Sequence, residues 1–338
     1  MFSKNAPAID WDWLSEAMSH RPQTPPGKSG QISVECTTHP AGKPLEVVSM
    51  RNALFMGQRP ASVKFTEPIT CRALKSAKRG TWMQDVPQEV YQAREPIQGI
   101  IEEWGTAGQD GNHDVRVLIG GLGLGVYSSL VLNMAECCAT TVEISRDVIR
   151  LVGRSVQSMK RPCCEHELVK ADIYEYARKL KRCQFDAAIL DTWQPTGEIC
   201  WTQEVIPLRR LVRKHVPLVF CWNEQEMIGQ FRMGCRKLAL QPKEMPDFDT
   251  TYRTVRIACE QAGLIDTQMS MAAFSGPDGM DKAMEFGAQI EADPEVQNVI
   301  AAFCDDIGSP EWEERFGNIY DRAAKMKQAR RRKAKAAG

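Results

Sequence analysis

Three observations predict an α/β fold with a doubly wound, mainly parallel sheet. Short apolar runs alternate with helical stretches between Val115 and Cys221, at a spacing that calls for right-handed crossovers. A glycine cluster, Gly120-Gly-Leu-Gly-Leu-Gly125, sits where the first run meets the following helix. Three acids, Glu143, Asp172 and Asp191, stand at or just past the ends of the next runs. Open α/β sheets bind ligands at such carboxyl ends. A small β-rich N-terminal lobe and a helical C-terminal region complete the predicted architecture.

The segments divide as follows. Residues 1–30 read as a flexible leader, with a short helix over 9–18 broken by Arg21-Pro-Gln-Thr-Pro-Pro-Gly27. Residues 31–84 read as the β-rich lobe, with strand-like text at 32–34, 45–48 and 62–65 between Gly and Pro. Residues 85–240 carry the α/β domain. Its opening helix starts at Asp85-Val-Pro-Gln88, with Asp85 as N-cap and an early proline. Strands then follow at 115–119, 140–144, 167–170, 185–190 and 217–221, with helices between them. No further strand pair is expected after Trp222. Residues 241–321 read as helical, and 322–338 as a basic tail.

Bulk properties narrow the function classes. The chain has 338 residues, with 43 Lys and Arg balanced by 43 Asp and Glu, so its overall charge favours neither nucleic acid nor membrane. Charge placement is uneven. No carboxylate side chain follows Asp321, while Arg322, Lys325, Lys327, Arg330, Arg331, Arg332, Lys333 and Lys335 do. The tail is expected to be a solvated helix end, with weak polyanion contact as the alternative. No secretory leader is read at the N-terminus, and no apolar run is long enough to span a bilayer. Twelve scattered cysteines suit reduced thiols, so a cytoplasmic, membrane-free protein is expected. Cys163-Cys164-Glu165-His166 lacks the two-residue gap of zinc ligands, and no metal is expected. The absence of a Gly-x-Ser-x-Gly elbow removes support for hydrolase chemistry.

The candidate site is built on the glycines. Gly120, Gly121, Gly123 and Gly125 would let a ligand approach the backbone and the amides of the next helix. A bare tight turn is the alternative. Glu143 stands where an acid can accept from ribose hydroxyls, or else is simply solvated. Asp172 could receive an adenine amino group or cap the helix after it. Asp191 is the candidate base or amine holder, and Trp193 the candidate substrate platform. Their plainer roles are a strand-end cap and a hydrophobic cover on the sheet edge.

A dinucleotide fingerprint starting at Gly121 needs its third glycine at position 126, which is Val126. Gly121-x-Gly123-x-Gly125 instead resembles the class I S-adenosylmethionine-dependent methyltransferase superfamily, over residues 115–222. Ile-Gly-Gly-x-Gly-x-Gly followed by Val-Glu-Ile-Ser looks closest to its spermidine-synthase-like branch. Trp82-Met-Gln-Asp-Val-Pro87 together with the glycine loop also resembles phage and prophage proteins of methyltransferase type. The resemblance implies a Rossmann-like domain binding S-adenosyl-L-methionine. It implies that Gly121, Gly123 and Gly125 wrap the methionine end, Glu143 holds the ribose, Asp172 meets the adenine amine, and Ile144 and Ile173 sandwich the ring. Two positions depart from the pattern: Ile119 stands where methyltransferases often have an acid, and Gly123 where aminopropyltransferases have an aspartate. The expected function is a methyltransferase of unknown acceptor. The alternatives are a spermidine-synthase-like aminopropyltransferase, or a non-catalytic binding or assembly protein of the same fold.

Overall fold

The computed structural model describes residues 8–49, 59–105, 115–159, 164–193, 198–236, 238, 250–265 and 278–337. The chain divides into two compact units, one of Met1–Pro195 with Leu211–Glu226, the other of Thr196–Arg210 with Met227–Gly338.

The first unit holds two β layers of different character. Strands β1 (Gly27–Ser29), β2 (Ile32–His39), β5 (Ile69–Ser76) and β6 (Gly80–Gln84) form an antiparallel sheet in the order β1-β2-β5-β6. Strands β3 (Pro44–Val48) and β4 (Ala61–Lys64) pair separately as a hairpin-like ladder. The sequence text located β2, β3 and β4. It missed β5, where Cys71, Arg72 and Leu74 are buried with no clean alternation to mark a strand.

The first thirty residues are not a loose leader from residue 8 onward. Helix α1 (Trp11–Ser19) is capped by Asp10, whose carboxylate accepts from Trp13 N–H at 3.0 Å, and it buries Trp13, Leu14, Ala17 and Met18. The spacing of those four residues puts them on one face of the helix, and burying that face offsets the cost of ordering the segment. The prolines after Arg21 end the helix without releasing the chain: Arg21 and Thr24 are buried.

The second layer is a five-stranded, fully parallel sheet in the order β11-β10-β7-β8-β9. Its strands are β7 (Arg116–Gly120), β8 (Cys138–Glu143), β9 (His166–Lys170), β10 (Ala187–Leu190) and β11 (Leu218–Cys221). Val117, Leu118 and Ile119 are all buried, as are residues 187–190, because crossover helices cover both faces of a parallel sheet. Those helices include α4 (Val126–Asn133), α5 (Arg146–Gln157) and α6 (Ile173–Ala177). In α5, Ser145 caps the first turn, and Val148, Val152 and Val156, spaced four apart, face inward. Among the described residues no strand follows Cys221.

The expected helix from residue 85 is two helices, α2 (Pro87–Tyr91) and α3 (Arg94–Trp104). Asp85 is not the N-cap; that position is Val86, and the buried Asp85 carboxylate turns inward to Arg21 and Arg72. The β-rich lobe expected at 31–84 therefore shares one compact unit with the parallel sheet.

The second unit is helical. Residues Trp201–Val205 form a π-helical turn leading into α7 (Ile206–Arg213), and the chain passes back into the unit along α8 (Glu224–Gly234). Helices α9 (Thr250–Gln261), α10 (Gly279–Ala292) and α11 (Pro294–Cys304) follow, then a second π-helical turn, Glu313–Gly317, which opens α12 (Asn318–Ala337). Trp201, Phe231, Phe303, Trp312, Phe316 and Tyr320 make its aromatic core, with Trp201 and Phe231 centroids 4.9 Å apart and Phe303 and Phe316 5.2 Å apart. The Arg210 guanidinium lies over Trp312 and Tyr320 at 5.2 and 5.1 Å and binds Glu313 and Asp321 at 2.8 Å each. The link at 241–246 read from the sequence lies outside the described residues. No break separates residues 321 and 322; both lie inside α12.

Candidate functional site

The chain leaves β7 for β8 on one side and later returns to β10 on the other, so the sheet order reverses beside β7. Ligands of open α/β sheets bind at that reversal, outside the carboxyl ends of the strands. Gly120 closes β7, in register with Val142 of β8 and Leu190 of β10. The Gly120 carbonyl accepts from Asp191 N–H and the Val142 carbonyl accepts from Gly121 N–H, both at 2.8 Å. The glycine turn and Asp191 are thus adjacent by construction.

Gly121, Gly123 and Gly125 all have positive φ, at 95°, 51° and 78°. A Cβ at Gly121 would run into the Asp191 carbonyl oxygen, and one at Gly125 into the Val156 side chain. Both positions are closed to other residues by conformation and by space. Gly121→Ala is therefore expected to cost about 2 kcal/mol or more, read as a lower urea midpoint with an unchanged slope. Gly123 faces the Met83 sulfur from β6, which also accepts from Leu124 N–H at 3.0 Å. The antiparallel sheet therefore supplies one wall of the glycine loop.

Glu143 ends β8, largely buried. One carboxylate oxygen accepts from Leu122 N–H at 2.9 Å and the other from Ser145 N–H at 2.7 Å. It holds the glycine loop and the head of α5 in place, and each oxygen keeps a second lone pair. Asp172 caps α6: its Oδ1 accepts from Tyr174 N–H at 2.7 Å and Glu175 N–H at 3.2 Å, while Oδ2 takes no part in those bonds. Ile144 is 61% exposed beside Glu143, whereas Ile173 is buried against Gly120.

Asp191 is partly exposed at the end of β10, and its carboxyl is pushed up to about 8. Burial is the main cause, followed by the charges of Glu89 and Glu143. Glu89, on α2, is itself pushed up to about 7 by burial. Tyr127, in the first turn of α4, is buried, and its hydroxyl is held well above the usual tyrosine range by burial and then by Asp191, Glu89 and Glu95. Asp191 and Glu89 thus make an acidic basin beside the glycine turn, and its charge keeps the Tyr127 hydroxyl protonated.

Trp193 differs from the expected platform. It is 5% exposed, and its indole N–H donates to the Trp222 carbonyl at 3.3 Å. Trp222 in turn donates its backbone N–H to Leu190 and its indole N–H to Gln92 Oε1 at 2.9 Å. With its polar atom used and its surface covered, Trp193 packs as a cover on the β10–β11 end.

The structure gathers Gly120, Gly121, Gly123, Gly125, Glu143, Ile173 and Asp191 at the reversal. It sets Ile144 and Asp172 at the neighbouring strand ends, and turns Trp193 aside. Sequence reasoning missed Glu89 and Tyr127, which lie far along the chain from Asp191, and quoted Met83 only inside the Trp82–Pro87 stretch, with no role at the glycine loop. Cys163 lies outside the described residues. His166 Nε2 is 3.0 Å from Thr141 Oγ1, which meets Ser128 Oγ at 2.9 Å, so this polar chain ties β9, β8 and α4 together. Among the described residues no three metal-ligating side chains gather, and no helix is long and apolar enough to cross a membrane.

No family model and no curated protein matches the chain. Among solved structures, it is similar to the bifunctional kinase-methyltransferase WbdD at 17% identity and a TM-score of 0.28, covering 37% of this chain and 27% of that one. A SAM-dependent methyltransferase from Agrobacterium tumefaciens matches at 15% identity and a TM-score of 0.31, over 43% of this chain and 46% of that one. A spermidine synthase in complex with the transition state analogue AdoDATO matches at 16% identity and a TM-score of 0.28, over 48% and 57%. The chain spans less than two thirds of each of these neighbours.

Proposed function

We propose that the chain is an S-adenosyl-L-methionine-dependent methyltransferase whose acceptor carries an amine. The reading rests on the glycine turn at the sheet reversal, pressed against Asp191 and bordered by Glu143. The residues present fit an adenosyl ligand. Ile144 offers an open apolar face, Asp172 keeps one carboxylate oxygen outside its capping bonds, and Glu143 has lone pairs to spare for hydroxyls.

When bound, the cofactor supplies an electrophilic methyl group on a positively charged sulfur. The remaining work falls to side chains of this protein. A protonated amine must lose a proton before its nitrogen can attack. Asp191 and Glu89, with carboxyls near 8 and 7, exchange protons in the neutral range, which suits a general base. Their charge also attracts a cationic acceptor, and the glycine turn brings backbone close to the ligand, so alignment contributes as well.

The carboxylate pair also favours a second reading, aminopropyl transfer to a diamine, against which Gly123 stands in the place of the aspartate that such enzymes carry. Calorimetric titration with S-adenosylmethionine and with its decarboxylated form separates the two. Micromolar binding of the first, lost in Glu143→Ala, is expected. Because Glu143 also holds Leu122 and Ser145, Ile144→Ser is the cleaner variant: its side chain is exposed, and it is expected to weaken binding about tenfold without changing the melting temperature. Preference for the decarboxylated form would move the assignment to aminopropyl transfer. Binding of neither would leave a partner-binding module of this fold.

A further inference from the structure

We propose that the end of α12 is a docking element for double-stranded DNA, gripping phosphates on both sides of the major groove. Helix α12 is continuous from Asn318 to Ala337, and among the described side chains none after Ala323 is buried. Lys327 is the last described side chain that is even half-buried, and the helix runs on past it by roughly 15 Å, at 1.5 Å per residue. That stretch holds no acid, while eight cations lie between residues 322 and 335.

The placement of the cations selects the partner. At about 100° per residue, positions 325, 330, 331, 332, 333 and 335 leave no gap around the axis wider than roughly 100°. A flat anionic surface meets only one side of such a helix. The major groove of a duplex admits a helix and flanks it with phosphates on both sides. A lipid surface would in addition call for an apolar face, and Met326 is the single large apolar residue beyond Tyr320. Single strands are bound largely by stacking on aromatic rings, and no aromatic residue follows Tyr320. Cations facing the flanking phosphates outnumber any single row that can reach base edges, so the binding is charge-driven and its sequence preference weak.

The test is fluorescence anisotropy of a labelled 20-base-pair DNA duplex with the full chain, compared with the variant R330Q/R331Q/R332Q/K333Q. Glutamine keeps helix propensity, so circular dichroism and melting temperature are expected to match the parent. Parent binding is expected to weaken about 1,000-fold between 50 and 200 mM salt, as for about six phosphate contacts. The variant is expected to bind at least 100-fold more weakly at low salt, with the salt slope reduced by about 3 to 4. Equal binding by the variant, no binding at 50 mM salt, or tighter binding to a single strand or to phosphatidylserine vesicles would each overturn the proposal.

Discussion

Replacing Asp191 with asparagine is expected to stabilise the chain at pH 8 and to slow the proposed methyl transfer steeply. The ordinary value for this carboxyl is 3.8 and the folded value is about 8. Between those limits the folded state keeps a proton that the unfolded state gives up. Stability from this group is therefore complete below about pH 4 and is lost as pH rises through 8. Asparagine has no proton to lose, so the variant escapes that decline. Asp191 is partly exposed, which discounts the full shift, and a gain of about 2 kcal/mol at pH 8 is expected, or roughly 4–8 °C in melting temperature. At pH 4 the two proteins should melt together. The same change removes the proposed proton acceptor, and a fall of about 100- to 10,000-fold in kcat is expected. Glu89→Gln removes a charge that raises Asp191, so the pH at which the rate climbs as Asp191 loses its proton should fall. A less stable Asp191→Asn at pH 8 would instead make the carboxylate a structural acceptor, and the basin would lose its assigned role.

The sequence made the parallel sheet legible because its signal is local. Each strand is a short apolar run bounded by a helix start, and Gly121, Gly123 and Gly125 mark the turn that needs positive φ. Glu143 and Asp191 could be placed at strand ends from spacing alone. Their partners could not. Met83 reaches Gly123 from an antiparallel sheet some forty residues upstream, and Glu89 reaches Asp191 from a helix about a hundred residues away. Such pairings depend on tertiary packing, which leaves no period in the text. Asp172 illustrates a different limit: capping and ligand binding call for the same residue at the same place, and here Oδ1 caps while Oδ2 stays outside those bonds. The leader was misread for a third reason. Arg21-Pro-Gln-Thr-Pro-Pro-Gly27 does break regular structure, but side-chain burial rather than backbone regularity keeps it in place.

That burial sets up the second large effect. Asp85 is 1% exposed and lies between two buried guanidiniums, Arg21 at 3.1 Å and Arg72 at 3.1 Å. Arg21 also donates to the Met18 and Asp85 carbonyls, and Arg72 to the Thr24 carbonyl and to Gln23. The carboxylate thus fastens the end of α1 and the proline-rich turn to β5. Asp85→Ala would leave two cations in a low-dielectric site with no counter-charge, and a loss of about 3–5 kcal/mol is expected in urea unfolding. The triple change R21M/R72M/D85L removes the charges together and should recover much of that loss, because the Coulomb gain of a buried cluster roughly cancels its desolvation cost. The effect should also reach the site. The His20 carbonyl accepts from Ser129 on α4, and Pro22 lies 3.2 Å from where a Gly125 Cβ would stand. Met83, two residues before Asp85, covers Gly123. Loosening this clasp should therefore weaken the proposed S-adenosylmethionine binding in Asp85→Ala under conditions where the rest of the fold persists, and open the Lys28–Ser29 bond, just past the proline-rich turn, to trypsin. If binding stayed at the parental level while trypsin cut there, the glycine loop would hold its shape without the N-terminal segment, and Met83 would be packing rather than part of the site.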